Sequence, residues 1–215
     1  MLATDVEPSR MDAARSAADT FLDGVPDELR VGAVAFSTTP SSVVAPSQDR
    51  ERVRSHLASL QADGSTATGD ALVEALQLLK TQDKGRPPAA IVLLSDGKTT
   101  SGRDPVEAAR QARAAGIPIH TVSLGTPGGT ITDNSGGILP VPPDPETMVE
   151  IAKASGGESF DVGDADQLDA VYERLGSQIG TRPEQREITA GFAAGGMALL
   201  LAAAALSLRA GGRLP

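Results

Sequence analysis

Apolar positions along the first 180 residues switch repeatedly between a helical and an extended period. After Pro8, Ser9-x-x-Asp12 has the form of a helix-start box, and Met11, Ala14, Ala18 and Phe21 then recur at helical spacing up to Gly24. Arg30 to Ser37, with Val31, Ala33, Val34, Ala35 and Phe36, reads as a strand. Ser42 to Ala45 reads as a short second strand, paired with the first through the Thr38–Ser41 turn. Asp49 caps a helix with the stripe Val53, Leu57 and Leu60. A further helix runs from about Thr68 to Lys80, with Leu72, Ala75, Leu76 and Leu79 on one face.

The second half has the same rhythm. Ala89 to Ser95 is apolar without alternation, which predicts a strand covered on both faces, as in a parallel sheet. Asp104-Pro105-Val106-Glu107 supplies cap, first-turn proline and first-turn acid for a helix ending near Gly116. Ile117 to Leu124 is the next strand, Asp144-Pro145 opens a helix that stops at Gly156-Gly157, and Ser159 to Val162 is a short strand. Asp164-x-x-Gln167 caps a last helix carrying Leu168, Val171, Tyr172 and Leu175. Between them, Gly125 to Pro143 is long and rich in Gly and Pro. Thr130-Ile131-Thr132 and Ile138 to Val141 flank Asp133 to Gly137 there and predict a small hairpin-like flap. Strands separated by helices predict an α/β fold: a three-layer, doubly wound, mostly parallel sheet over residues 1–180. The chain nevertheless enters a helix directly from Met1, with no outgoing strand, so either the fold starts with a helix or the sequence is a fragment.

Composition narrows the chemistry. There is no cysteine, which removes disulfides, thiolate metal sites and cysteine nucleophiles, and the two histidines, His56 and His120, lie far apart. The net charge is −9, and two of the 19 basic residues, Arg209 and Arg213, lie past residue 187. The body therefore carries 17 basic against 28 acidic residues, a surface that repels phosphate backbones and argues against nucleic acid as a partner. Beyond a linker at 181–187, Ile188 to Leu208 is a run without a charge, followed by a tail at 209–215. About 20 apolar residues cross a bilayer as a helix, so this run predicts a C-terminal transmembrane helix, although much of it is Ala and Gly. The arginines on either side do not choose an orientation.

In a parallel α/β sheet, ligands gather at the carboxyl ends of the strands. Asp96, in Leu94-Ser95-Asp96-Gly97, stands at one such end. Read from composition alone, it ends the strand and opens a turn. Gly64 to Asp70 mimics the spacing of a phosphate loop, but Asp70 occupies the lysine position and would oppose a triphosphate, which excludes nucleotide binding.

Ala3 to Arg10, Arg30 to Phe36, Thr66-Ala67-Thr68-Gly69-Asp70 and Leu93-Leu94-Ser95-Asp96-Gly97, in this order, resemble a von Willebrand factor A (VWA) domain. More narrowly, the chain is similar to bacterial membrane-anchored members of that family, often encoded near MoxR-type AAA+ ATPases. The resemblance implies a metal-ion-dependent adhesion site (MIDAS) built from Asp-x-Ser-x-Ser, a threonine and an aspartate. Thr66 matches the threonine and Asp96 the aspartate, while the Asp-x-Ser-x-Ser element and the first strand would stand immediately before Met1 and have no counterpart here. It further implies Mg²⁺ or another divalent cation, weakly held or absent in this chain, and a protein partner offering a carboxylate. A MoxR-type ATPase system as partner, and a VWA domain outside the cytoplasm on a single-pass bacterial membrane protein, complete the expectation. No nucleophile–base pair is evident, so the chain is expected not to be an enzyme. The competing classes are a metal-dependent hydrolase or phosphatase using Asp96, and a scaffold with no working metal site.

Overall fold

The computed structural model describes residues 1–61, 65–81, 89–96, 99–132 and 136–180. The element order is α1 (Arg10–Gly24), β1 (Val31–Phe36), β2 (Pro40–Ser47), α2 (Arg50–Ala58), α3 (Thr68–Thr81), β3 (Ile91–Ser95), α4 (Pro105–Ala114) and β4 (Ile119–Leu124). Then follow β5 (Thr130–Thr132), β6 (Ile138–Pro140), α5 (Pro145–Ser155), β7 (Ser159–Val162) and α6 (Ala165–Gly180). The expected starts hold at several helices. The Ser9 hydroxyl accepts the Asp12 N–H at 3.1 Å, and the Asp49, Asp104 and Asp144 carboxylates accept N–H groups of α2, α4 and α5. Each satisfies a donor that the first helical turn leaves without a carbonyl.

β3, β4 and β7 form a parallel sheet in the order β3-β4-β7. Successive side chains of a strand leave on opposite faces, and β4 shows both. Ile119 joins Leu72 and Leu76 of α3, Ala108, Ala109 and Ala112 of α4, and Ile151 of α5. Val122 and Leu124 join Ala13, Ala14 and Ala17 of α1 with Leu168 and Tyr172 of α6. Helices therefore cover both faces, giving the three layers that the alternation predicts. The faces that α1 and α4 bury are largely alanine: Ala13, Ala14 and Ala17, and Ala108, Ala109 and Ala112.

β1 and β2 form a separate antiparallel ribbon, over a small cluster of Leu22, Val44 and Val53. Among the described residues the ribbon does not pair with the parallel sheet. Between them lies a cleft of about 1750 Å³, walled on one side by Val31 to Phe36 and on the other by Ile91 to Ser95. The strand expected at 89–95 is covered on both faces, with Ile91 and Leu93 packed on one core cluster and Val92 and Leu94 on the other. Ile91, Val92 and Leu94 stay half-buried because β3 is hydrogen-bonded to β4 on one edge and borders the cleft with the other. Ala67 N–H donates to the Ser37 carbonyl at 2.8 Å and Thr100 N–H to the Thr66 carbonyl at 2.9 Å. The loop at 65–67 thus links a residue just after β1 to one a few positions beyond β3.

Among the described residues no helix is long and apolar enough to cross a membrane; the span expected at 188–208 lies outside the described residues.

Candidate functional site

The rim at the carboxyl ends of β1 and β3 is held by backbone bonds rather than by side-chain packing. Thr66 is half-buried at the start of α3. Its N–H donates to the Thr100 hydroxyl at 2.9 Å, and its carbonyl accepts the N–H groups of Thr100 and, at 3.4 Å, Ser101. Thr38, beyond β1, reaches the same loop: Ser65 N–H donates to its hydroxyl at 3.3 Å. Asp96 follows β3 directly, with its side chain 17% exposed. The two residues singled out from the sequence line one cleft, and Thr100, bonded to Thr66, lies four residues beyond Asp96 in the sequence. The structure does not place them in contact with each other through any described hydrogen bond.

The charge around Asp96 was not legible from the sequence. Its carboxylate receives the Met1 ammonium, and Nη1 of Arg10 lies 3.4 Å from Oδ2 and 3.3 Å from the Asp96 carbonyl. Arg10 is fully buried and forks onto Asp5, Nε to Oδ1 at 2.8 Å and Nη2 to Oδ2 at 2.7 Å. This two-pronged bond holds the Asp5 carboxyl well below the usual carboxylate range. Burial opposes the shift, and the backbone and hydroxyl bonds from Thr126 add to it. In the sequence, Arg10 is one of several charges at the start of an exposed-looking helix. The available signal was the pair of glycines, Gly125 and Gly129, that make room for it.

A Mg²⁺ ion takes about six oxygens in octahedral array. Among the described residues no three His, Cys, Asp or Glu side chains gather to hold a metal. Thr66 and Asp96 are two candidate ligands, and Asp96 already faces the Arg10 guanidinium. The described residues by themselves do not fit a Mg²⁺ shell.

Neither histidine contributes to the rim's chemistry. His120 is the second residue of β4, at the opposite end of the sheet. Its Nδ1 accepts the Glu158 N–H at 3.2 Å, and burial lowers its pKa from the ordinary 6.5 while the Glu158 charge partly opposes this. His56 lies on α2. Across the rim, residues 130–132 and 138–140 form the expected hairpin, Ile131 opposite Leu139, with Ile138 75% and Leu139 51% exposed; the turn at 133–135 lies outside the described residues.

Comparison with known proteins places this architecture. Residues 4–174 match the von Willebrand factor type A domain. A UPF0353 protein of Mycobacterium marinum is 39% identical over 227 residues, spanning all of this chain and 68% of the relative. A UPF0353 protein of Mycobacterium tuberculosis is 40% identical over the same spans. An aerotolerance-related membrane protein from Bacteroides fragilis superposes with a TM-score of 0.73 at 25% identity, covering 83% of this chain and 92% of that one. The conserved hypothetical protein BatB from Bacteroides thetaiotaomicron has the same fold, with a TM-score of 0.72 at 24% identity and the same coverage. With its helices on both faces of a parallel sheet and that match over most of its length, the chain belongs to the von Willebrand factor type A domain family.

Proposed function

We propose that this chain is a membrane-tethered protein-interaction domain whose recognition face is the rim carrying Thr66 and Asp96. The observation that carries the reading is the loop at 65–67, which links a residue just after β1 to one a few positions beyond β3, with Thr66 and Asp96 lining one cleft. Membrane tethering rests on the likeness to the B. fragilis membrane protein and on the uncharged run at 188–208. In a form carrying Asp-x-Ser-x-Ser ahead of Met1, the missing hydroxyl ligands would join Thr66 and Asp96 and make recognition of a partner's acidic residue dependent on a divalent cation. A bound Mg²⁺ held largely by neutral hydroxyls supplies a positive centre that an incoming carboxylate can complete. A MoxR-type ATPase system as partner follows from the family resemblance alone.

Calorimetric titration with Mg²⁺ tests the reading on three proteins: the chain, the chain extended by an apolar strand ending in Asp-x-Ser-x-Ser, and that extended chain with Asp96→Ala. The chain alone is expected to bind no tighter than about millimolar, as a stray carboxylate does. The extended chain is expected to bind saturably and to lose at least about tenfold, ~1.4 kcal/mol, on Asp96→Ala. Low-micromolar binding by the unextended chain, or extended binding indifferent to Asp96, overturns the assignment.

Two other readings meet the same experiment. A scaffold with an idle rim is favoured by the Arg10 guanidinium already beside Asp96, and an extended chain that folds yet binds no ion would establish it. A metal-dependent hydrolase needs a nucleophile and a base, and His120 lies at the far end of the sheet. Phosphatase turnover that requires Mg²⁺ and Asp96 would nevertheless move the chain to that class.

A further inference from the structure

Arg10 is a fully buried charge at the centre of a polar cluster that the proposed recognition does not use. Besides its fork onto Asp5 and its contacts with Asp96, the cluster reaches the loop after β4. Asp5 Oδ2 accepts the Thr126 N–H at 2.7 Å and the Thr126 hydroxyl at 2.9 Å, joining residues 121 positions apart. Two glycines roof the guanidinium. Gly125 has φ +131°, and a β-carbon there would stand 2.4 Å from Arg10 Cζ; one at Gly129 would stand 2.1 Å from Nη2. The backbone therefore lies against the guanidinium at a distance no other residue allows. From this base both legs of the β5–β6 hairpin depart: Gly129 N–H donates to the Thr126 carbonyl at 3.0 Å, and the Gly129 carbonyl accepts the Val141 N–H at 2.8 Å.

We propose that Arg10 is a positioning residue that latches the β5–β6 flap to the Asp96 rim. One planar guanidinium holds Asp5, and through it Thr126, on one side and the carboxyl end of β3 on the other. The latch thereby fixes where the exposed Ile138 and Leu139 stand relative to Asp96, so that rim and flap present a single surface. A lysine keeps the charge but cannot reproduce the fork. The inference gives the recognition face proposed above a second half, and its test is independent of any ion or partner.

The experiment is amide hydrogen exchange, without added metal, on the chain extended by the strand described above. Arg10→Lys is expected to speed exchange at Thr126, Gly129 and Val141 by about tenfold or more, while amides of β4, α4 and α5 stay within about twofold. Uniform acceleration across those elements would make Arg10 an ordinary core residue and overturn the latch, as would unchanged exchange at Thr126 and Val141. Asp96→Asn is the second variant and decides the matter if Arg10→Lys does not fold. It leaves the Arg10–Asp5 fork in place and removes the carboxylate charge on the rim side of the guanidinium, yet is expected to speed Thr126 and Val141 by about threefold. No change there would separate flap from rim and overturn the proposal.

Discussion

β4 and β1 make an instructive pair. β4 reads Ile-His-Thr-Val-Ser-Leu, half polar, and five of its six residues are buried; β1 reads Val-Gly-Ala-Val-Ala-Phe, without a polar side chain, and all six are half-exposed. Hydropathy alone would rank them the other way round. What separates them is position in the ladder: among the described residues β4 has a strand on each edge and helices on both faces, whereas β1 has one partner and borders the cleft. The polar groups of β4 are tolerated because most find partners. The Thr121 hydroxyl donates to the Met148 carbonyl at 2.9 Å, and the Ser155 hydroxyl meets both Ile119 N–H at 3.0 Å and the Ile119 carbonyl at 3.2 Å. The Ser123 hydroxyl is buried with no hydrogen-bond partner among the described residues. Burial here is conferred by neighbours, and a polar strand can be the centre of the core if its hydrogen bonds close.

The contrast can be pressed hardest at the cleft. Two bare strand edges facing one another forfeit the backbone bonds a strand between them would make, on the order of five to ten at about 1 kcal/mol each. Residues 1–187 alone are therefore expected to aggregate or to melt without cooperativity, and a parallel strand fused ahead of Met1 to restore a monomer with a sharp transition. Cooperative thermal unfolding of the unextended piece as a monomer would show that the bare edges cost little. At the level of single side chains, Ile119→Ala in β4 is expected to cost about 2–5 kcal/mol, read from urea midpoints of the strand-extended protein. A loss below about 1 kcal/mol would show that β4 is not the centre of the core.

Acid provides the mildest probe. Asp5 has a folded pKa below its ordinary 3.8, with Arg10 against it and Asp96 across that guanidinium. Its contribution is thus fully present above about 3.8 and is lost as pH falls from there toward the depressed folded value. Thr126 and Val141 amides should lose protection over that range in the parent and over none of it in Asp5→Asn. The β1–β2 ribbon should be indifferent to the substitution, and a ribbon that softens in step with the flap would join what the structure separates.

Local signals made most of the elements legible. Within the described residues, helix starts with an Asp or Ser cap and apolar runs produced the elements they predicted, because caps and periodicity act over a few residues. The ribbon's separation from the sheet was not legible, since pairing partners are chosen over long distances and nothing in Arg30 to Ala45 records which edge stays open. Thr66 and Asp96 were found by family resemblance. The bond from Thr66 to Thr100 at that rim is one no spacing rule reveals. The Asp5–Arg10–Thr126 cluster was missed for the same reason: its members lie 121 positions apart, and their meeting is visible only in three dimensions.

The glycine roof over Arg10 bears on any attempt to stiffen the loop after β4. Replacing glycine by alanine gains roughly 0.4–1 kcal/mol by restricting the unfolded chain, provided the folded backbone accepts a methyl. Gly128 has nothing within 4 Å of where that methyl would go, whereas at the very next residue it would strike the guanidinium. Adjacent codons thus give opposite answers to the same engineering rule, and a survey that scored this Pro- and Gly-rich stretch as uniformly permissive would fail at its second step.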